Sequence, residues 1–315
     1  MITDIVMLVV GLCVLIFGGD FLVKGSSRIA LGMNIPPFIV GLTVIAFGTS
    51  APELFISVQS ALAGSSDIAI GNVIGSDICN LGLVLGLTAI ICPISVGKNS
   101  IKMDWPVMMF SAIMVYVFAL EGEFKAWEGA VSFAILIVYL FYTVTKGRKK
   151  ALVETEDPDL LEAEDHPYPK WRSILYMVLG AIGLYFGSEW FVGSAKTLAV
   201  GLGVSERVIG VTIVALGTSL PELVTSVISA FRKQTDLALG NLLGSNIFNN
   251  LAILGATAMV KPIGVGPEIL RVDMVWMLLF SLAVLPMMVS RKSVSKVEGV
   301  ILLGSYGVYT YFVLV

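Results

Sequence analysis

Three observations assign the chain to the all-α polytopic membrane proteins, with ten transmembrane helices arranged as two inverted five-helix repeats. Of its 315 residues 57% are hydrophobic and 14% charged, with 32 glycines and a mean hydropathy of +0.91, a balance outside that of soluble globular domains. The apolar residues fall into ten blocks, each near the roughly 20 residues a helix needs to cross a bilayer core. One unit is also used twice. GLTVIAFGTSAPELFIS (41–57) returns 169 residues later as GVTIVALGTSLPELVTS (210–226), with ten of seventeen positions identical. AIGNVIGSDICNLGLVLG (69–86) returns at the same offset as ALGNLLGSNIFNNLAILG (238–255), with nine of eighteen identical.

In chain order the spans are expected at 4–30, 36–62, 68–91, 104–120, 126–145, 173–200, 205–231, 238–259, 273–290 and 297–314. The first has no basic residue ahead of it, only Asp4, and is too long for the apolar core of a signal peptide, so it reads as a retained span. The second and seventh carry Pro-Glu in mid-span, and the second and third spans of each repeat are expected to be discontinuous helices. Cytoplasmic loops retain Lys and Arg. Alternate loops here hold fifteen of the twenty basic residues, among them Lys98, Lys146, Lys170 and Lys292, against five: Lys125, Lys196, Arg207, Lys261 and Arg271. That bias predicts a multi-pass protein of the cell (inner, cytoplasmic) membrane with both termini extracellular or periplasmic. Five spans per copy is an odd number, so the second copy enters from the opposite face. The domains read as a first repeat at 1–145, a cytoplasmic linker at 146–172 and a second, inverted repeat at 173–315.

The linker holds seven acidic residues between Glu154 and Asp165, and charge runs of this kind are usually solvated. His166, the only histidine, belongs to the same segment. Cys13, Cys79 and Cys92 lie inside spans without framework spacing or a nearby histidine, which argues against a disulfide or zinc role.

The repeated Pro-Glu has specific physical consequences. Pro52 and Pro221 have no N–H for the carbonyls of Gly48 and Gly217, and their rings crowd the preceding turn, so each helix should break there. Such breaks are tolerated at membrane depth where the freed backbone lines an enclosed or watery cavity. Carbonyls from Ala46 to Thr49 and from Ala215 to Thr218 then sit at a half-helix C-terminus, the negative end of its dipole. Glu53 and Glu222 add charge at a depth where a charged side chain costs roughly 2.5–3.5 kcal/mol and is normally functional. Brought within about 5 Å at an effective dielectric near 20, they would repel by roughly 3 kcal/mol. A cation or a proton must sit between them, and no Lys, Arg or His in the four motif segments can serve as a fixed counter-charge.

The second motif supplies further oxygens. Ser76 and Asn80 are four apart and share a helix face, as do Ser245 and Asn249. Gly71, Gly75, Gly240 and Gly244 permit close backbone approach. A set of carboxylates, amides, hydroxyls and carbonyls without thiolate or imidazole suits Ca²⁺, Na⁺ or another hard cation. Taken singly, Ser, Thr and Asn in membrane helices more often bond across helix interfaces, and Gly more often packs. Asp20 and Glu189 lack a nearby proline and read as packing or interface charges, paired with a residue such as Arg28 or Lys196.

G-T-S-x-P-E-L followed by G-N-x-x-G-S-x-I-x-N, present in both halves, resembles the sodium/calcium exchanger family of the calcium:cation antiporter superfamily, and most closely its prokaryotic members. The resemblance covers essentially the whole chain. It implies a secondary active antiporter that exchanges Na⁺ for Ca²⁺ by alternating access, the first and sixth spans sliding over the other eight. It also implies that Glu53 and Glu222 coordinate Ca²⁺, with Thr49 and Thr218 contributing largely through backbone carbonyls. Ala46 and Ser76, with Ser50 nearby, would form one flanking Na⁺ site, and Ala215 and Ser245, with Ser219, the other. Asn80 and Asn249 would complete the middle position.

The implied partners are Ca²⁺ and Na⁺ as transported substrates and the lipid bilayer, with no cofactor, no nucleic acid and no obligate protein partner. Some relatives, including potassium-dependent exchangers, carry Asp where this chain has Asn249, which argues against K⁺ co-transport. Asp77 stands opposite Asn246 in the repeat alignment; of two readings, that it restores a negative charge near the site or that it faces a water-filled entrance without a specific role, the second is expected. The alternative is a Ca²⁺/H⁺ antiporter using the same glutamates. That branch carries glutamate in the second motif, where this chain has Ser76 and Ser245. A channel could also use paired acids, and the spans hold no catalytic motif that would suit an enzyme.

Overall fold

The computed structural model describes residues 2–33, 35–154, 170–202 and 215–314. The acidic run from Glu156 to Asp165, His166, Arg207 and positions 210–214 of the repeated motif lie outside the described residues. The described chain is helical, with four two-residue strands. Its helices are α1 (Ile2–Gly32), α2 (Pro37–Thr49), α3 (Ala51–Leu62), α4 (Ser66–Ile91), α5 (Ser100–Ala119), α6 (Ala126–Glu154), α7 (Lys170–Gly201), α8 (Ala215–Thr218), α9 (Leu220–Phe231), α10 (Thr235–Val260), α11 (Ile269–Ser290) and α12 (Lys296–Leu314). Among the described residues seven helices are long and apolar enough to cross a membrane, or eight with α2 and α3 taken as one bent span. The protein is therefore an all-helical membrane protein.

The Pro-Glu motif breaks its helix as the sequence predicts. The axes of α2 and α3 diverge by 44°. The break falls on the residue two before each proline: Ser50 has φ −86° and ψ 7°, and Ser219 φ −87° and ψ 4°. Pro52 and Pro221 then occupy the first turn of α3 and α9, where an N–H would have no intrahelical partner anyway. The third spans behave differently from the expected discontinuity. Both α4 and α10 run unbroken and change register through a π turn, at Asn80–Val84 and Asn249–Ile253. No proline interrupts either helix, so the ladder widens by one residue instead of opening.

The core is centred on α4 and α10. All of the apolar window of α10 is buried and 72% of that of α4, against 28% for α1 and 22% for α7. The helices bearing the second motif are thus enclosed by the rest, while α1 and α7 expose apolar residues such as Val9, Ile16, Ile174 and Val178 on surface suited to lipid. These two helices pack chiefly against each other along a heptad of small residues. A methyl group at Gly18 would come within 2.7 Å of the Leu184 nitrogen, and one at Gly180 within 2.5 Å of the Leu22 nitrogen, so only glycine permits this backbone approach. The second motif's glycines divide: a side chain at Gly244 would strike the main chain of Leu42, whereas Gly71 and Gly75 have nothing within 4 Å.

Asp20 is not paired with Arg28. Its carboxylate bridges Lys24 (2.7 Å) and Arg232 at the end of α9, Ser27 Oγ donates to Gln234 Oε1 at 2.9 Å, and the Arg28 guanidinium lies over the Tyr176 ring. Glu189 is exposed.

The strands form two antiparallel pairs, β1 (Ile94–Ser95) with β4 (Ser293–Val294) and β2 (Glu123–Phe124) with β3 (Ile263–Gly264). Positions 94 and 263 are equivalent in the two repeats, as are 124 and 293. Each repeat thus pairs its own first strand with the other repeat's second. Lys98, Arg291 and Lys292 adjoin the β1–β4 pair, and Lys125 and Lys261 adjoin the β2–β3 pair.

Candidate ion-binding site

The two broken helices bring their glutamates into the enclosed centre. Glu53 and Glu222 are each 1% exposed, in the first turns of α3 and α9. Glu53 lies within electrostatic reach of Glu222 and of Asp77. No ion pair among the described residues reaches any of the three carboxylates. Buried charges without fixed counter-charges require a mobile one.

Hydrogen bonds tie the two repeats together around the glutamates. Ser50 Oγ donates to Glu222 Oε1 at 3.0 Å and Ser245 Oγ to the same oxygen at 3.4 Å. The hydroxyls of Ser76 and Thr218 are 3.4 Å apart. Thr49 Oγ1 lies 3.3 Å from both Ala46 O and Asn241 Oδ1. Asn80 Nδ2 donates to Asn246 Oδ1 at 3.1 Å, and Asn249 Nδ2 to Asp77 Oδ1 at 2.9 Å. Ala46 and Ser219 are buried, and Ala215 begins α8. The structure therefore gathers residues of all four motif segments into one network. It differs from the sequence reading at two carbonyls: Gly217 O accepts the Ser188 hydroxyl of α7 at 2.6 Å, and Ala46 O accepts the Ser50 N–H at 3.0 Å as well as the Thr49 hydroxyl. Position 19, equivalent to 188, is glycine, so Gly48 O has no matching donor from α1.

The buried atoms left without hydrogen-bond partners reveal the chemistry. They include Glu53 Oε2, Glu222 Oε2, Asn80 Oδ1 and Asn249 Oδ1, one carboxylate and one amide oxygen from each repeat, together with Asp77 Oδ2, Asn250 Oδ1 and Ser219 Oγ. An unpartnered buried acceptor is costly, and the four matched acceptors suit a cation. These unpartnered atoms are carboxylate, amide and hydroxyl oxygens, the kind of set that favours hard cations.

Several residues of this network escaped the sequence reading. Asn72 Nδ2 reaches Glu53 O (3.3 Å) and Ser57 Oγ (3.0 Å), and Asn241 Nδ2 reaches Thr225 and Ser226, both at 3.2 Å. These asparagines clamp the third span of each repeat to the second. Their identity at matched positions of the two motif copies was the available signal. Asp77 is 1% exposed and bonded into the centre. The expectation that it faces a water-filled entrance is overturned.

A buried oxygen site joining two related halves of a polytopic membrane protein defines an ion transporter rather than an enzyme. The family profile described as sodium/calcium exchanger protein matches residues 3–145 and 172–315. The sodium/calcium exchanger MaX1 of Methanosarcina acetivorans is 32% identical over 336 residues, covering 96% of each chain. The membrane protein MJ0091 of Methanocaldococcus jannaschii is 38% identical over 296 residues, 94% of this chain and 93% of that one. The solved structure of the sodium-calcium exchanger NCX_Mj, soaked with Na⁺ and Ca²⁺, superposes with a TM-score of 0.84 at 35% identity, covering 98% of this chain and 97% of the other. The chain belongs to the sodium/calcium exchanger family, as its motifs indicate, and is an antiporter of that family.

Proposed function

We propose that this antiporter exchanges Na⁺ for Ca²⁺ across the cell membrane by alternating access, with Ca²⁺ as a substrate bridging Glu53 and Glu222. The observation that carries the reading is the set of four buried, unpartnered oxygens drawn equally from both repeats. One Ca²⁺ cancels the charge of both glutamates, and an empty carboxylate pair is too costly to occlude, so only a loaded site crosses. Thr49 and Thr218 contribute to the same centre, largely by backbone carbonyl. Ala46, Ser76 and Ser50 flank it with one Na⁺ position, Ala215, Ser245 and Ser219 with the other, and Asn80 and Asn249 complete the middle. The α1–α7 pair, packed on itself and least enclosed, is the element free to slide.

The same reading takes the chain as ten spans in two inverted repeats, 1–145 and 173–315, joined by a cytoplasmic linker, with both termini outside. Strand pairing supports it. β1 and β2 are separated by one crossing, α5, so the two strand pairs lie on opposite faces, and the equivalent strands β1 and β3 fall on different ones. The basic residues divide between those faces as the loop charges do.

The test is Ca²⁺ uptake into proteoliposomes preloaded with Na⁺ or with choline, at clamped pH and voltage. Uptake only with internal Na⁺, lost in Glu53→Gln, is the expected result. Uptake indifferent to Na⁺ but driven by a pH gradient would replace this reading with Ca²⁺/H⁺ exchange, and unitary currents would replace it with a channel.

A further inference from the structure

We infer that Asp77, which lies outside the set of implied ion ligands, is the positioning residue of the site: its carboxylate fixes the direction in which the amide of Asn249 faces, and its main-chain oxygen, through Asn246, that of Asn80. The inference rests on the proposed role of those amides as ion ligands. Asp77 follows Ser76 on α4 and is 1% exposed. Its Oδ1 accepts Asn249 Nδ2 at 2.9 Å. Its main-chain oxygen accepts Asn246 Nδ2 at 3.2 Å. Asn246, held by that bond, turns its own Oδ1 to accept Asn80 Nδ2 at 3.1 Å.

Both amides are therefore engaged through nitrogen, and their oxygens, Asn80 Oδ1 and Asn249 Oδ1, are left unpartnered, as is Asp77 Oδ2. An amide turned by 180° has nearly the same shape, so packing alone does not select between the two orientations. A carboxylate does select, because it only accepts hydrogen bonds and would repel an amide oxygen. A polar network is effective when each member has one satisfied orientation, and Asp77 sets that orientation at its head.

Symmetry explains why the repeat comparison marks the residue without giving it a role. Position 77 is equivalent to 246 and 80 to 249, so the bonds Asn249–Asp77 and Asn80–Asn246 are the two symmetry-related copies of one contact. One copy uses a carboxylate and the other an amide. Two carboxylates here, beside Glu53 and Glu222, would place four acids in one enclosed volume. The asparagine at 246 avoids this and also supplies the Nδ2 that takes its orientation from the main-chain oxygen of residue 77. The difference between the copies is thus part of how the site works.

The experiment compares wild type, Asp77→Leu and Asp77→Asn in reconstituted Ca²⁺ uptake, together with equilibrium ⁴⁵Ca²⁺ binding to purified protein and a thermal melt. Leucine removes the acceptor. Asparagine keeps an oxygen but loses the bias, since it can present either end. Asp77→Leu should raise the KM for Ca²⁺ and weaken equilibrium Ca²⁺ binding by about tenfold or more, with Asp77→Asn intermediate at about threefold and maximal velocity retained in Asp77→Asn. A purely structural residue would lower the melting temperature and the maximal velocity while leaving KM and binding unchanged, and that pattern overturns the inference. Where Asp77→Leu does not fold, Asp77→Asn decides: a KM and a binding constant equal to those of wild type overturn it. Wild-type uptake reports separately on Na⁺ coupling. If it proves independent of Na⁺ while Ca²⁺ binding still weakens in the Asp77 variants, the exchange reading fails and the positioning role stands.

Discussion

Glu53 and Glu222 are both buried, within electrostatic reach of each other and without a fixed counter-charge, so neutralising one should remove the reason for a divalent cation to enter. Glu53→Gln or Glu222→Gln is expected to weaken Ca²⁺ binding by about 3 kcal/mol, roughly a hundredfold, and to abolish measurable exchange while the folded protein persists. Isothermal titration with Ca²⁺ checks this, and tight binding by either variant would remove the proposed centre. Asn249→Asp is a different kind of change. Its Nδ2 donates to Asp77 Oδ1, so an aspartate there would set two carboxylates against each other across the same contact. Altered Na⁺ and Ca²⁺ selectivity is expected in competitive uptake, and indifference would mean that position 249 does not face the ions. The glutamates, Thr49, Thr218, Ser76, Ser245, Asn80 and Asn249 were all legible in the sequence because they recur at the 169-residue offset. Asp77 was legible only as a difference between the copies, and its partner across the repeat is what gives that difference a role.

At the scale of elements, the closest approach of helix α1 to α7 is made at glycines. Gly180→Leu would drive a side chain into the main chain at Leu22. It should destabilise the protein by about 1–3 kcal/mol and separate α1 from α7, measured as a lower melting temperature in detergent and faster amide exchange in both helices. The Ser188 bond to Gly217 O offers a gentler probe of how α7 is tied to the broken helix. Ser188→Ala should cost about 1 kcal/mol by the same melt, and no change would mean that another donor or water takes the carbonyl. The breaks at Ser50 and Ser219 could be read from the prolines. The π turns at Asn80 and Asn249 could not, since a one-residue change of register leaves no mark in hydrophobic period and arises from the packing of neighbouring helices.

For the molecule as a whole, the proposed inverted arrangement puts Lys98 and Lys125 on opposite faces. With the native cysteines replaced, Lys98→Cys should react with an impermeant maleimide only in inside-out vesicles and Lys125→Cys only in right-side-out ones. Labelling of both from one side would contradict the inverted arrangement. The Asp20 carboxylate ties α1 to Arg232 at the end of α9 at a partly exposed position. Arg232→Ala is expected to cost no more than about 1 kcal/mol, seen as a small, salt-dependent drop in melting temperature.

The sequence by itself determined the membrane class, the duplication, the helix breaks and the family, because bilayer length, proline stereochemistry and repeated spacing are local or periodic properties of a chain. Only the tertiary structure decided which oxygens remain unpartnered, that Gly217 O is already occupied, that Asp20 reaches Arg232 and that Asp77 belongs to the centre. Those are contacts between residues up to 212 positions apart, and hydrogen-bond satisfaction depends on which groups meet after the two halves have packed.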